Sequence, residues 1–227
     1  GLDTQSLQAR AVAALLELRP ARAVELLAAA QRVPLRPRDC LSTIAYDHTP
    51  QYEMFVEVMS FFWPDATAHP LYAPQAKTLA DAFTRHLAGI ESSGEARVAL
   101  RAIMAAAVPI ERRDEALGVW AAALTEVAEN RWSFTTHLPE LWTEVEAAVR
   151  RLQARAPVAV RSVLRGFREF FGRHVAETRC AVAPTPNAFA FEMHVARELD
   201  LRLVRNGLGA LGSLAIVPLA RPHPTVP

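Results

Sequence analysis

Thr49-Pro50-Gln51-Tyr52-Glu53-Met54-Phe55-Val56-Glu57-Val58-Met59-Ser60-Phe61-Phe62-Trp63-Pro64 is the stretch that decides the fold class. Its apolar residues Phe55, Val56, Met59, Phe62 and Trp63 recur at steps of three and four, with Glu53, Glu57 and Ser60 between them. That periodicity belongs to a helix with one buried and one wetted face. Thr49 is placed to cap it, Pro50 suits its first turn, and Pro64 is expected to stop it.

The same pattern continues outward in both directions. Leu79, Phe83, Leu87 and Ile90 mark a helix from near Pro74, and Leu100, Ile103, Met104, Ala107 and Val108 mark one that Ser92 or Ser93 can cap. Leu117, Trp120, Ala121, Leu124, Val127 and Ala128 form the stripe of a helix from about Glu111, closed by Asn130. Leu141, Trp142, Val145, Val149 and Leu152 make another, and Pro157 opens a long helix with Val160, Leu164, Phe167, Phe171 and Val175 inward. At the start of the chain, Asp3 or Thr4 caps a helix reaching Leu18, and Pro20 begins a second after almost no loop, an αα-hairpin. No segment alternates with the period of two that a half-buried strand requires. These stripes predict an all-α protein, an irregular multi-helix bundle of about eight helices opening with an αα-hairpin. No fixed repeat aligns the apolar positions.

Prolines punctuate the bundle. Val33-Pro34-Leu35-Arg36-Pro37 is expected to be extended, and Ala183-Pro184-Thr185-Pro186 reads as a linker. Asn187 is placed to cap a last helix through about Val204, ended by Asn206-Gly207, and the proline-rich tail from Pro218 is expected to be extended. The chain is therefore divided into a helical bundle domain over 1–182 and a segment over 183–227 holding the linker, the last helix and the tail.

Composition narrows the class. In 227 residues, 51% are hydrophobic and 22% charged, which excludes a disordered or fibrous chain. Lys and Arg number 25 against 24 Asp and Glu, a net charge of +1, so no global field calls for nucleic acid. Lys77 is the single lysine, a bias of base composition rather than of function. The longest uncharged apolar run near an end, Leu208 to Val217, is ten residues, about half of what a helix needs to cross a bilayer. No transmembrane segment is expected. Gly1 in place of an initiator Met reads as the start of a mature protein whose signal peptide has been removed, or as a trimmed end.

Cys40 and Cys180 lie far apart and outside any metal-ligand spacing. Each is either a small buried hydrophobe or half of a disulfide. A disulfide closing a loop of this size stabilises by about 4 to 5 kcal/mol in the chain-entropy model and persists only in an oxidising compartment. Pairing is the favoured reading, and with it a periplasmic or secreted location.

The chemistry-bearing residues do not assemble into a motif. The histidines show neither His-x-x-x-His nor His-Glu-x-x-His, so no metal is expected. His194 with Glu198 and His174 with Glu177 come nearest. Glu-x-x-His is absent, which removes a di-iron bundle. Gly-x-Ser-x-Gly, the P-loop and the dinucleotide fingerprint are also absent, and no cofactor is expected. The polar candidates that remain are His86 and His174, which border apolar stripes, with Glu192 and His194 on the last helix. Tyr46, Asp47, His48, Thr49 and Tyr52 cluster at the mouth of a helix and read as a capping turn. Between Glu111 and Glu146 eight acidic residues face three arginines, whereas Arg150 to Arg179 holds eight arginines and two glutamates. Arg161, Arg165 and Arg168 share one helical face. The expected reason is two neighbouring helices whose outer faces attract each other; the alternative is a nucleic-acid groove.

Three stretches carry a resemblance. Leu18-Arg19-Pro20-Ala21-Arg22-Ala23-Val24-Glu25-Leu26-Leu27, then Leu35-Arg36-Pro37-Arg38-Asp39-Cys40 leading to Tyr52-Glu53, and Phe170-Phe171-Gly172-Arg173-His174-Val175 through Arg179-Cys180-Ala181 resemble a set of secreted all-helical proteins of unknown function from Acidobacteria. The likeness covers about residues 1–181, and the segment after Ala181 departs from it. It implies a cleaved signal, export and a pairing of Cys40 with Cys180, and it implies no activity. Together these readings describe an exported, non-catalytic α-helical domain that binds a protein or cell-envelope partner. The alternatives are a small-ligand carrier or enzyme with a site between helices, built from His86, His174, Glu192 or His194, and a nucleic-acid binder acting through the Arg150–Arg179 helix.

Overall fold

The computed structural model describes residues 4–30, 47–66, 73–106, 110–129, 131–176 and 186–211. Within them the chain forms nine α-helices: α1 (Thr4–Leu18), α2 (Pro20–Ala28), α3 (Thr49–Ala66), α4 (Ala73–Ala88), α5 (Ser93–Ala105), α6 (Ile110–Glu126), α7 (Arg131–Leu152), α8 (Pro157–Ala176) and α9 (Pro186–Arg205). Among the described residues there is no strand. The all-α reading holds. Cys40, Cys180, the Val33–Pro37 stretch and the linker residues before Pro186 lie outside the described residues.

Local chemistry sets the helix ends. Arg19, at φ −146° and ψ 74°, breaks the first helix so that Pro20 can take the first turn of the next. α9 closes with Gly207 at φ 70°, the left-handed geometry that favours glycine. There Gly207 N donates to Val204 O at 3.1 Å and Leu208 N to Leu203 O at 2.9 Å, the paired bonds of a Schellman motif. Two expectations at α3 are corrected. The helix runs past Pro64 to Ala66: the ring costs one backbone bond there, as Pro139 does inside α7, without ending the helix. Asp47 rather than Thr49 serves its start: Thr49 N donates to Asp47 Oδ1 at 2.9 Å.

α5 lies between α3, α6 and α7 and is buried on most sides, through Ala96, Val98, Ala99, Leu100, Ala102, Ile103 and Met104. The α1–α2 hairpin closes one flank, with Val12, Leu16, Val24 and Leu27 in the same core. On the other side, α8 lies against α6 and α7. The crossing of α6 and α8 is set by small residues: a Cβ added at Gly166 would stand 2.7 Å from Ala121 O and 2.8 Å from Ala121 Cα. Below that crossing Phe134, Trp142, Phe167, Phe170 and Phe171 interlock, with the Trp142 and Phe167 ring centroids 5.3 Å apart. α9 adds Val195, Leu199 and Leu203 to this core. Gln153 Nε2 donates to Asn206 Oδ1 at 3.1 Å, so α7 and α9 end side by side.

Of the acidic block Glu111 to Glu146, the α7 part makes no ion pair with α8 among the described residues. Among the described residues, the α7 carboxylate of Glu140 pairs with Arg97 of α5 at 3.1 Å and that of Glu146 with Arg202 of α9, while Arg168 of α8 turns to its neighbour Glu169 at 2.7 Å. The two helices are joined by aromatic packing, which leaves their charged residues to other partners.

Gly166→Ala is expected to destabilise the fold by about 1 to 3 kcal/mol, because the clash is with backbone that cannot rotate away. Gly118→Ala, where an added Cβ meets nothing within 4 Å, is expected to stabilise by about 0.5 to 1 kcal/mol. Urea unfolding of both variants measures the contrast, and equal shifts would contradict the close crossing.

Candidate functional site

A buried helix start leaves four amide donors that water cannot reach. Ser93 and Glu95, in the first turn of α5, are fully buried, so their partners must come from the protein. Glu91-Ser92-Ser93-Gly94-Glu95 supplies part of that bonding from within the turn. Ser92 is extended and its Oγ accepts from Glu95 N at 3.1 Å. Glu95 Oε2 in return accepts from Glu91 N at 3.1 Å, one residue earlier than in the usual reciprocal capping box. Ser93 N donates to Glu129 Oε2 at 3.2 Å, from the turn that follows α6.

The other oxygen of Glu95 faces α3. Tyr52 donates its hydroxyl to Glu95 Oε1 at 3.1 Å, and His48 Nδ1 stands 3.9 Å from the same oxygen. The Tyr52 ring meets His86 of α4 edge-on, with centroids 5.2 Å apart, and His86 also lies 5.4 Å from the Phe55 ring. Four titratable side chains thus gather where α3, α4 and α5 meet. They are sealed: His48 is 6% exposed, His86 5%, and Tyr52 and Glu95 0%. Asp47 stays outside, and hydrogen bonds from the side chain and backbone of Thr49 hold its carboxyl below the usual range.

Glu129 carries the network to α8. Its backbone N–H donates to His174 Nε2 at 3.3 Å, while His174 Nδ1 lies 2.9 Å from Phe170 O. A neutral ring with its proton on Nδ1 satisfies both contacts. The ring stacks on Phe134 at 5.5 Å and 17°. Polar groups therefore run from Tyr52 of α3 through Glu95 and the Ser93 amide of α5, and on through Glu129 to His174 of α8.

The candidates named from the sequence fall in different settings. His86 belongs to the Tyr52–Glu95 cluster, and His174 holds the far end of the network. Glu192 is fully buried in α9, and His194 is exposed on that helix with its ring 6.2 Å from Phe191. Glu198 does not join His194 as a ligand pair. Arg202 binds it at 2.8 Å and draws its carboxyl below the usual range. The capping reading of Asp47 holds, but Tyr52 and His48 turn inward instead. Glu95 and Glu129 were not singled out from the sequence. The Ser92-x-x-Glu95 spacing was a legible signal for the first, whereas the second depends on a contact 36 residues away in the chain.

Among the described residues no group of three or more His, Cys, Asp or Glu is placed to hold a metal ion. No helix among them is long and apolar enough to cross a membrane. No family model, curated protein or solved structure matches the chain. The arrangement supplies hydrogen bonds between helices. Tyr52→Phe is expected to lower stability by about 1 to 3 kcal/mol, since it removes a donor from a buried carboxyl oxygen. Thermal and urea unfolding measure this, and an unchanged midpoint would contradict the bond's role.

Proposed function

We propose that the chain is an exported, non-catalytic α-helical domain that binds a protein or cell-envelope partner through the outer face of α9. One observation carries the reading. Opposite the buried Val195, Leu199 and Leu203, α9 shows solvent Met193 at 45% exposure, Leu201 at 44% and Val204 at 59%, with Arg197 between them at helical spacing. Single exposed aliphatics are ordinary, but three along one face of a helix form a stripe that gains free energy when covered. The interior supports the same reading, because its converging polar groups are engaged in joining helices.

A photoreactive residue at Met193 or Leu201, introduced into the protein in its native cells, is expected to give a discrete adduct. The same probe at Leu18, 79% exposed on α1, is expected to give none. Equal labelling from all three positions, or none from any, would overturn the reading.

The second reading is a small-ligand carrier or enzyme acting at the cluster of Tyr52, His48, His86 and Glu95, favoured by four titratable groups meeting there. A ligand at a hundred times its dissociation constant stabilises by about 2.7 kcal/mol, so a melting panel of small acids and divalent ions separates the two. Export and the pairing of Cys40 with Cys180 rest on the sequence and its resemblance to the Acidobacterial secreted proteins. Intact-mass analysis of alkylated protein, with and without reductant, is expected to show no free thiol before reduction. Two free thiols in protein taken from the native envelope would contradict both.

A further inference from the structure

The ends of α7 and α9 and the start of α8 meet at one end of the bundle. Gln153 is bonded to Asn206, and only four residues separate Leu152 from Pro157. Arg150, Arg151, Arg155 and Arg205 are exposed there, and among the described residues none of the four has an ion-pair partner. Of the carboxylates near this end, two share one arginine and a third is held by a backbone amide. Glu146 and Glu198 are bound by Arg202, and Asp200 Oδ1 accepts from Leu211 N at 2.7 Å. The first turn of α8 has no acid. Arg150, Arg151, Arg155, Arg202 and Arg205 outnumber Glu144, Glu146, Glu198 and Asp200, so this end carries an excess of positive charge while the whole chain is nearly neutral.

Aliphatic side chains stand among these arginines. Val158, in the first turn of α8, is 62% exposed, and Leu201 and Val204, in the last turns of α9, are 44% and 59% exposed. Arginines in the last turns of α7 and α9 also oppose the helix dipoles, but that role does not require large apolar residues in water beside them.

We propose that this end docks on an anionic lipid surface, with the guanidinium groups on lipid phosphates and Val158, Leu201 and Val204 at the boundary of the headgroups. The inference rests on the reading that α9 binds a partner, and it names the partner's chemistry. Charge complementarity selects an anionic partner. The aliphatics select a bilayer over nucleic acid, whose phosphates would satisfy the arginines but leave the apolar tips without an apolar phase.

The test is flotation of the full chain with vesicles of phosphatidylcholine, with and without phosphatidylglycerol, at low and raised salt. Binding is expected only with phosphatidylglycerol and is expected to weaken with salt. Changing Arg150, Arg151, Arg155 and Arg205 to Gln is expected to cost about fivefold in affinity per arginine. Leu201→Ser with Val204→Ser, which keeps the charge, is expected to weaken binding by at least tenfold. Circular dichroism melting confirms that these surface variants fold. If the serine variant binds vesicles as the parent does, or if the chain retards duplex DNA while ignoring vesicles, the lipid assignment is wrong. Absence of vesicle binding alongside a specific adduct at Met193 removes the lipid but keeps the α9 surface. Absence of both removes the lipid assignment and the α9 reading together.

Discussion

Burying the start of a helix obliges the protein to replace the water that its first amides would otherwise hold, and the bundle is arranged around that obligation at α5. An unsatisfied buried amide costs about 1 to 3 kcal/mol, comparable with much of the net stability of a domain. Ser92 and Glu95 provide for two of the local donors, and Glu129 reaches across from the end of α6 for a third. Two of these residues are in turn held from another helix. Tyr52 fixes Glu95 from α3, and His174 fixes the backbone of Glu129 from α8. Even Trp120, fully buried in α6, directs its indole N–H to a carbonyl of α5, Ala96 O, at 2.8 Å. Apolar burial supplies the driving force, and these directional bonds specify which helices meet and in what register.

Much of the architecture was legible because it depends on neighbours in the chain. The spacing of Phe55, Met59 and Phe62 predicts which face of α3 is buried, and all three are. Pro20, Pro157 and Gly207 mark helix ends for reasons of backbone geometry that hold in any surroundings. Pro64 and Pro139 show the limit of that logic, since each costs a backbone bond without ending its helix. The polar network was largely illegible. Tyr52 and Glu95 are 43 residues apart, Glu129 and His174 are 45 apart, and nothing local marks either pair. His86 and His174 were singled out because polar residues on apolar stripes require partners, but their partners follow from how the helices pack. The ion pairs of α7 were illegible for the same reason: composition placed acids and arginines on successive helices, while packing gave Glu140 to Arg97 and Glu146 to Arg202.

Inside and outside follow opposite economies of polar groups. In the interior, converging titratable side chains make hydrogen bonds that tie α3, α5 and α8 to one another and to the turn after α6. Outside, α9 and the bundle end beside it show the reverse: arginines without carboxylate partners and aliphatics without cover. That surface is where the molecule has free energy left to gain from a partner, which is the physical ground for reading it as a binding domain.

The claim on which the account rests is that the start of α5, bonded within its own turn by Ser92 and Glu95, is locked from across the bundle by Glu129 and Tyr52. Native-state hydrogen exchange at the amides of Ser93, Glu95 and Glu129 tests it most directly. The account predicts that these amides exchange only with global unfolding, at the same free energy as the amide of Leu100 in the middle of the helix. Exchange through local opening, well below that free energy as in a frayed helix end, would contradict it.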